Sequence, residues 1–528
     1  MKKIFLKIVI LIFCVASLSS CIDYLTIKPA GKVVLGDYWK TGSDVDAVVL
    51  TCYRSLCEPT LMNKLIVYGE MRSDNVVAGN KASLDYNNIQ AANILPSDSY
   101  TSWSDFYKVI NYCNTVLYYA PKVIDPNYTV SQLKAHEAEV LTIRALSYFY
   151  LVRAFKNVPL VLTPSSSDSQ DFHVPQSSED QVLDQLESDL IKAEGWALEG
   201  YSSIPATRGR ITKNAIRSLL ADIFLWRSKY NESIAYCDKV IDSKATVPYN
   251  IDKYPLIKDI ESPFLQIFGY GNSFESIFEL QYDASSNKNT ELYSLYGSNN
   301  LFPADYPGYL SVATFITSKS SNLVFNNTII TDQRRLDNMG LPVIDVFPIF
   351  KYVGYESFSY IAPDGTIKVM KQTRNPNLQT PNWIIYRLTD VMLMKAEALV
   401  QLSVNDNPDL LKRALKIVNL TYSRSNPTLT DTLKSDTYST KSKMEDLVLL
   451  ERQRELMFEG KRWFDLMRMA RRDGNTKRLV DLVLRKFAST GTIRSKMADM
   501  NSLYFPVNQK ELESNPKLIQ NPYYITNY

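Results

Sequence analysis

The sequence predicts a mainly α-helical protein, a scaffold of paired helices interrupted by large, irregular, loop-rich insertions. Three observations predict it. Apolar residues recur at helical spacing over long stretches. Small residues fall where two helices of a pair must approach closely. Two regions, about 78–102 and about 242–380, break the helical spacing with Asn, Ser, Pro, Gly and aromatic residues.

At the start of the chain, Lys2, Lys3 and Lys7 precede an apolar run from Ile8 to Val15, too short to span a bilayer as a mature helix. Leu18-Ser19-Ser20-Cys21 follows, and small residues directly before a cysteine resemble a bacterial lipobox. The expectation is a signal peptide over 1–20, Cys21 as a lipidated N-terminus, a tether over 21–40 and a single body over 41–528. No later segment is long and apolar enough to cross a bilayer.

Within the body, Leu133–Phe155 places Val140, Ile143, Leu146, Tyr150 and Leu151 at helical spacing. Ser178 with Gln181 reads as a capping box opening a helix over Gln181–Ala193. Thr212 reads as the N-cap of Lys213–Arg227, whose partner follows a short break at Ser228-Lys229-Tyr230-Asn231 and runs to about Ile241. Tyr386–Leu402 and Asp409–Tyr422 form a second pair, and Met444–Met469 reads as one long helix. Ala215, Ala221 and Ala235 in the first pair, and Ala396, Ala398 and Ala414 in the second, resemble the close contacts of tetratricopeptide-type hairpins. The scaffold then covers about 41–240 and 381–528, with the main insertion over about 242–380.

Composition excludes several functions. The chain has 59 Lys and Arg against 56 Asp and Glu, and losing Lys2, Lys3 and Lys7 leaves it balanced. That argues against nucleic acid as a partner and against a polybasic membrane sensor. Two histidines, His136 and His173, give poor support to a zinc site or a His-based triad, so no metal and no cofactor is expected. Cys52, Cys57, Cys113 and Cys237 form no CxxC pair. They read as buried thiols, with a disulfide among them left open. The 34 tyrosines suit a recognition surface, although many must be core.

The C-terminal third carries the most specific pattern. Glu451-Arg452-Gln453-Arg454-Glu455-Leu456-Met457-Phe458-Glu459-Gly460-Lys461-Arg462-Trp463-Phe464-Asp465-Leu466-Met467-Arg468 resembles the ER..EL.FEG.R..DL.R signature of the SusD/RagB family. Glu459, Arg462, Asp465 and Arg468 alternate in sign at i, i+3 spacing, which reads as an ion-pair network rather than catalysis. Other segments match in order: Tyr386 to Ala398, Thr142 to Leu146 with Asn157 to Leu160, Gly209 to Lys213 with Ala215 and Ala221, and the tail from Phe505 to Pro522. Departures are local. Lys156 replaces a glycine, Asn508 a proline, Tyr523 a glycine, and Leu25-Thr26-Ile27-Lys28-Pro29 stands for an LD..P start.

The resemblance implies a lipid-anchored outer-membrane protein facing the cell exterior, not an enzyme. It implies binding of an oligosaccharide or polysaccharide and its delivery to a SusC-like TonB-dependent transporter. Gly69-Glu70-Met71-Arg72-Ser73-Asp74-Asn75 resembles the family's loop entry, making Asp74 and Asn75 candidate ligand contacts. Tyr100 and Trp103 follow them, Trp103 at a helix entry. A second candidate group is Tyr293, Tyr296, Phe302, Tyr306 and Tyr309, set among Gly, Asn and Pro. Arg334 and Arg335 read as partners of local carboxylates, with acidic sugars as the other option. Competing functions are peptide binding, a lid with little affinity of its own, and a two-carboxylate glycoside hydrolase.

Overall fold

The computed structural model describes residues 38–165, 170–244, 263–297, 307–317, 324–325, 332–339, 348–361 and 367–526. Cys21 with the segment before it, Phe302 and Tyr306 lie outside the described residues.

Eleven helices carry the scaffold. The N-terminal ones are α1 (Gly42–Leu56), α2 (Pro59–Glu70), α3 (Ser104–Tyr119), α4 (Val130–Phe155), α5 (Glu179–Trp196), α6 (Lys213–Trp226) and α7 (Tyr230–Lys244). The C-terminal ones are α8 (Leu388–Leu402), α9 (Pro408–Ser425), α10 (Lys441–Leu456) and α11 (Arg462–Asp473). Their starts follow local chemistry. Thr41, Thr129 and Ser178 each close a capping box, with Asp44, Gln132 and Gln181 reaching back to the cap. Thr212 caps α6 by accepting from the Ala215 amide. At the far end of α4, Lys156 takes φ +69° and ψ −71°, the rare and strained γ-turn, in which the Asn157 amide donates to the Phe155 carbonyl at 2.9 Å.

The helices pack as hairpins in chain order: α3 on α4, α4 on α5, α6 on α7, α8 on α9. Small residues let α6 and α7 close up, so that Ser233 Oγ donates to the Ala221 carbonyl at 2.9 Å. The second half continues the first without a seam. Although 143 residues separate their ends in sequence, α7 packs directly on α8, and Asp238 pairs with Lys395 across that contact. Burial of Val240, Ile241, Val391 and Leu399 there removes apolar area from water, the main force holding the halves together.

The strands are short. β1 (Val76–Ala78) pairs with β5 (Leu310–Val312), β2 (Val158–Pro159) with β3 (Gln176–Ser177), β4 (Ser276–Leu280) with β8 (Trp383–Arg387), and β6 (Tyr355–Ile361) with β7 (Ile367–Thr373), all antiparallel. β4 and β8 clasp the two ends of the main insertion, with Ser276 opposite Arg387. β1 and β5 join the first irregular region to the second, with Val76 opposite Val312.

The expected single helix over Met444–Met469 is two. α10 stops at Leu456 and α11 starts at Arg462, because Phe458 and Gly460 both take positive φ, +66° and +70°. The break presses Gly460 against α2, where a Cβ on Gly69 would stand 1.9 Å from the Gly460 carbonyl oxygen. Glu459 thus lies in the connector, off the helix face that its spacing implied.

The signature charges form a buried network. Glu455 accepts from Arg387 at 2.8 Å and Arg334 at 3.2 Å, and also from Arg424. Glu459 accepts from Arg387 and Lys351, at 2.7 and 2.6 Å. Asp465 takes Arg452 and Arg468, at 2.9 and 2.6 Å, and Arg468 also reaches Glu397. Arg334 thereby finds local carboxylates, Asp332 at 2.7 Å among them. Cys52, Cys57, Cys113 and Cys237 are buried free thiols.

Glu70, at the end of α2, is a buried carboxyl without a cation in contact among the described residues. It accepts from the Gly460 amide at 3.0 Å and from Asn75 Nδ2 at 3.1 Å. Burial pushes its pKa up to about 7. A raised acid pKa gives stability that is fully present below the unfolded value, near 4.5, and lost as pH rises through 7. Glu70→Gln removes that dependence. Between pH 5 and pH 8.5 its stability relative to the parent is expected to improve by roughly 2–3 kcal/mol, read from urea unfolding at each pH. A constant difference across that range contradicts the assignment.

Candidate ligand-binding site

A cleft of about 990 Å³ opens where the first irregular region meets α2, the start of α3 and the C-terminal tail. Such a volume lies at the upper end for small-molecule sites. Asn63 of α2 organises one wall. Its Oδ1 accepts from Tyr100 at 2.8 Å, and its Nδ2 donates to Tyr86 at 3.1 Å and to Glu291 at 2.8 Å. Those bonds bring the two irregular regions together, since Glu291 lies on the short helix Thr290–Tyr296 of the second.

Aromatic rings back this wall. Tyr86 stands 5.6 Å from Tyr100 and stacks on Tyr309 at 5.4 Å. Burial raises the pKa of both Tyr86 and Tyr100, so these phenols stay protonated donors. The opposite wall is the tail. Gln509 donates its amide to Pro96, and Asn508 donates to Thr101 at 2.7 Å. Glu511 sits at the cleft edge, its carboxyl pKa raised by burial. At the base Lys64 bridges Ser102 and Asp105, at 2.8 and 2.7 Å, and Ser99 donates to Asp85 at 2.8 Å. The lining is therefore rich in amide, hydroxyl and carboxylate groups held in place by one another. It suits a neutral, hydroxyl-bearing ligand.

The structure sorts the sequence candidates. Tyr100 lines this cleft, 8% exposed. Tyr309 supports it through Tyr86 without lining it. Trp103 lines an adjoining cleft and is 2% exposed. The remaining four require correction, because they are closed off from solvent. Asp74 is 1% exposed and held by Arg462 at 2.7 Å. Asn75 is buried between Glu70 and Gln453. Tyr296 donates its hydroxyl to the Phe458 carbonyl at 3.1 Å, and Tyr293 is equally buried. These side chains build the frame behind the cleft and have no face for an arriving ligand. Asn63, Tyr86, Glu291 and the tail residues Gln509 and Glu511 are not among the ligand contacts that the sequence suggests. Asn63 had a faint signal as an amide between Met62 and Leu65 of an apolar helix. Among the described residues no group of three or more His, Cys, Asp or Glu side chains is arranged to hold a metal ion.

Two family models divide the chain. The SusD family matches residues 347–524, and the family described as starch-binding associating with outer membrane matches residues 27–225. The chain belongs to the SusD family. It is 26% identical to SusD-like protein P38 of Formosa agariphila, over 99% of both chains. SusD-like protein P2 of the same organism is 22% identical, over 89% of this chain and 91% of the relative. A solved SusD homolog from Bacteroides thetaiotaomicron superposes with a TM-score of 0.71 at 18% identity, covering 92% of this chain and 98% of its own. A laminarin-binding SusD-like protein superposes at 0.64 with 21% identity, covering 92% and 100%. At such identities the structural likeness carries the mainly α SusD fold alone.

Proposed function

We propose that this SusD family protein captures an oligosaccharide or polysaccharide in the first cleft and delivers it to a SusC-like TonB-dependent transporter. In this reading a lipid on Cys21 holds it at the outer membrane, facing the cell exterior. The observation that carries it is the open cleft lined by Asn63, Ser99, Tyr100, Glu291 and Gln509, whose groups match sugar hydroxyls. The family description as starch-binding and outer-membrane-associated supports it, as does the laminarin-binding neighbour. Binding without chemistry suffices for such a role. Ligand need only favour a closed arrangement over an open one.

The test is affinity electrophoresis of the chain from Ile22 onward in gels containing laminarin, starch and a panel of plant and host polysaccharides. Thr60 and Ser99 are exposed at the cleft edge, so Thr60→Trp and Ser99→Trp fill the cleft without touching the core. Retardation by one polysaccharide, lost in both variants, is the expected result. Retardation that survives both variants rejects the cleft. If no polysaccharide retards the parent, the glycan reading falls and peptide cargo takes its place.

A further inference from the structure

The first cleft runs into a second, of about 440 Å³, also within the size range of small-molecule sites. Ser104 and Glu511 belong to both, so the two meet over the first turn of α3. Their chemistry differs. The second cleft is walled by Tyr107 and Ile110 of α3, by Val161 beyond β2, and by Phe172, Val174 and Leu518.

Four polar side chains of this wall are engaged inside the protein. Tyr107 donates its hydroxyl to the Pro159 carbonyl. Asn114 donates to the carbonyls of Val161 and Thr163 at 3.0 and 3.2 Å, while its own oxygen accepts from Arg144 at 2.7 Å. Asn111 accepts from the Ser165 amide at 2.8 Å, and Asn515 donates to the Val174 carbonyl at 2.9 Å. Beside these engaged groups the wall offers the carbon of Tyr107, Ile110, Val161, Phe172, Val174 and Leu518, with Glu511 at the junction with the first cleft. Phe172 is 55% exposed and adds its ring to the apolar part of this wall. At the rim Asp171 is met by His173 at 3.2 Å and Lys517 at 3.1 Å. Trp103 stands in the inner wall, and its buried Nε1–H has no partner among the described residues.

Hydroxyl groups pressed against such a wall lose their bonds to water without replacement, so an unsubstituted sugar fits it poorly. We infer that the second cleft binds a flat apolar substituent, an aryl ester or ether, carried by a glycan whose sugar chain lies in the first cleft. This rests on the glycan reading above and sharpens it: the preferred ligand is an aryl-decorated chain.

Methyl ferulate, an aryl ester without sugar, is the probe. Its binding is followed by saturation-transfer NMR and by titration, with the chain from Ile22 onward. Binding by the parent is expected, weakened about three- to tenfold in Phe172→Ser and restored in Phe172→Tyr. Thr60→Trp, which blocks only the first cleft, is expected to leave it unchanged. Absence of saturation transfer in the parent overturns the inference, as does transfer undiminished by Phe172→Ser. The polysaccharide gels fail or succeed separately. Retardation without ferulate binding removes the second cleft alone, and ferulate binding without retardation removes the sugar chain from the first.

Discussion

Replacing Arg387 by alanine is expected to lower the stability of the protein by about 3–5 kcal/mol, the cost of breaking a buried ion pair from one side. Arg387 ends β8 and stands immediately before α8, fully closed to water. Its guanidinium spans two carboxylates, reaching Glu459 at 2.7 and 2.8 Å and Glu455 at 2.8 Å, and it also donates to the Glu455 carbonyl. Burial alone would raise the pKa of Glu455, but Arg424, Arg387 and Arg334 together hold it well below the usual carboxylate range. Without Arg387, Glu459 retains only Lys351 among its cations, and burial already lowers that lysine to about 8. Arg387→Lys is expected to recover little, since one ammonium cannot serve two carboxylates and a carbonyl with a fork's geometry. Guanidinium unfolding measures both variants. A loss below about 1 kcal/mol for Arg387→Ala would show that the network relaxes around the gap.

That dependence explains which parts of the molecule were legible in the sequence. Helix starts were, because a capping box is complete within four residues: Ser178 and Gln181 announce α5 without help from the rest of the chain. The pairing of signature charges was legible in kind but not in partner. Glu459 finds Arg387, 72 positions away, through a connector whose positive φ angles leave no trace in apolar spacing. The binding residues were hardest. Asp74 and Asn75 are candidates because their segment resembles the family's loop entry. Here the loop is buried because Lys486 fills it, donating to the carbonyls of Met71, Ser73 and Val76. Tyr293 and Tyr296 lie among turn-forming residues, yet a short helix between Thr290 and Tyr296 turns both inward. Asn63 went the other way, an amide in an apolar helix whose role needs Tyr86, Tyr100 and Glu291 brought to it by folding.

Asp74→Asn separates the two roles that sequence and structure assign to this residue. As part of the frame, Asp74 grips Arg462 through two parallel bonds, Nε to Oδ1 at 2.7 Å and Nη2 to Oδ2 at 2.8 Å. The asparagine keeps the shape and removes the charge, leaving the Arg462 guanidinium buried without its counter-ion. A loss of about 3–5 kcal/mol follows. Burial pushes the Asp74 carboxyl upward, but the Arg462 charge and hydrogen bonds outweigh it and hold the pKa below 3.8. A depressed pKa gives stability present above the unfolded value and lost as pH falls through the folded one. The gap between parent and variant is therefore expected at pH 7 and to close only in acid below the normal aspartate range. Arg462→Met in the same chain removes the stranded cation, so the double variant is expected to be more stable than Asp74→Asn alone. Polysaccharide retardation per folded molecule stays at the parent's value in this account, since no ligand reaches a side chain 1% exposed. Retardation lost from a variant that remains folded would return Asp74 to the ligand. The cleft behind Tyr100 would then have to open far enough to expose it.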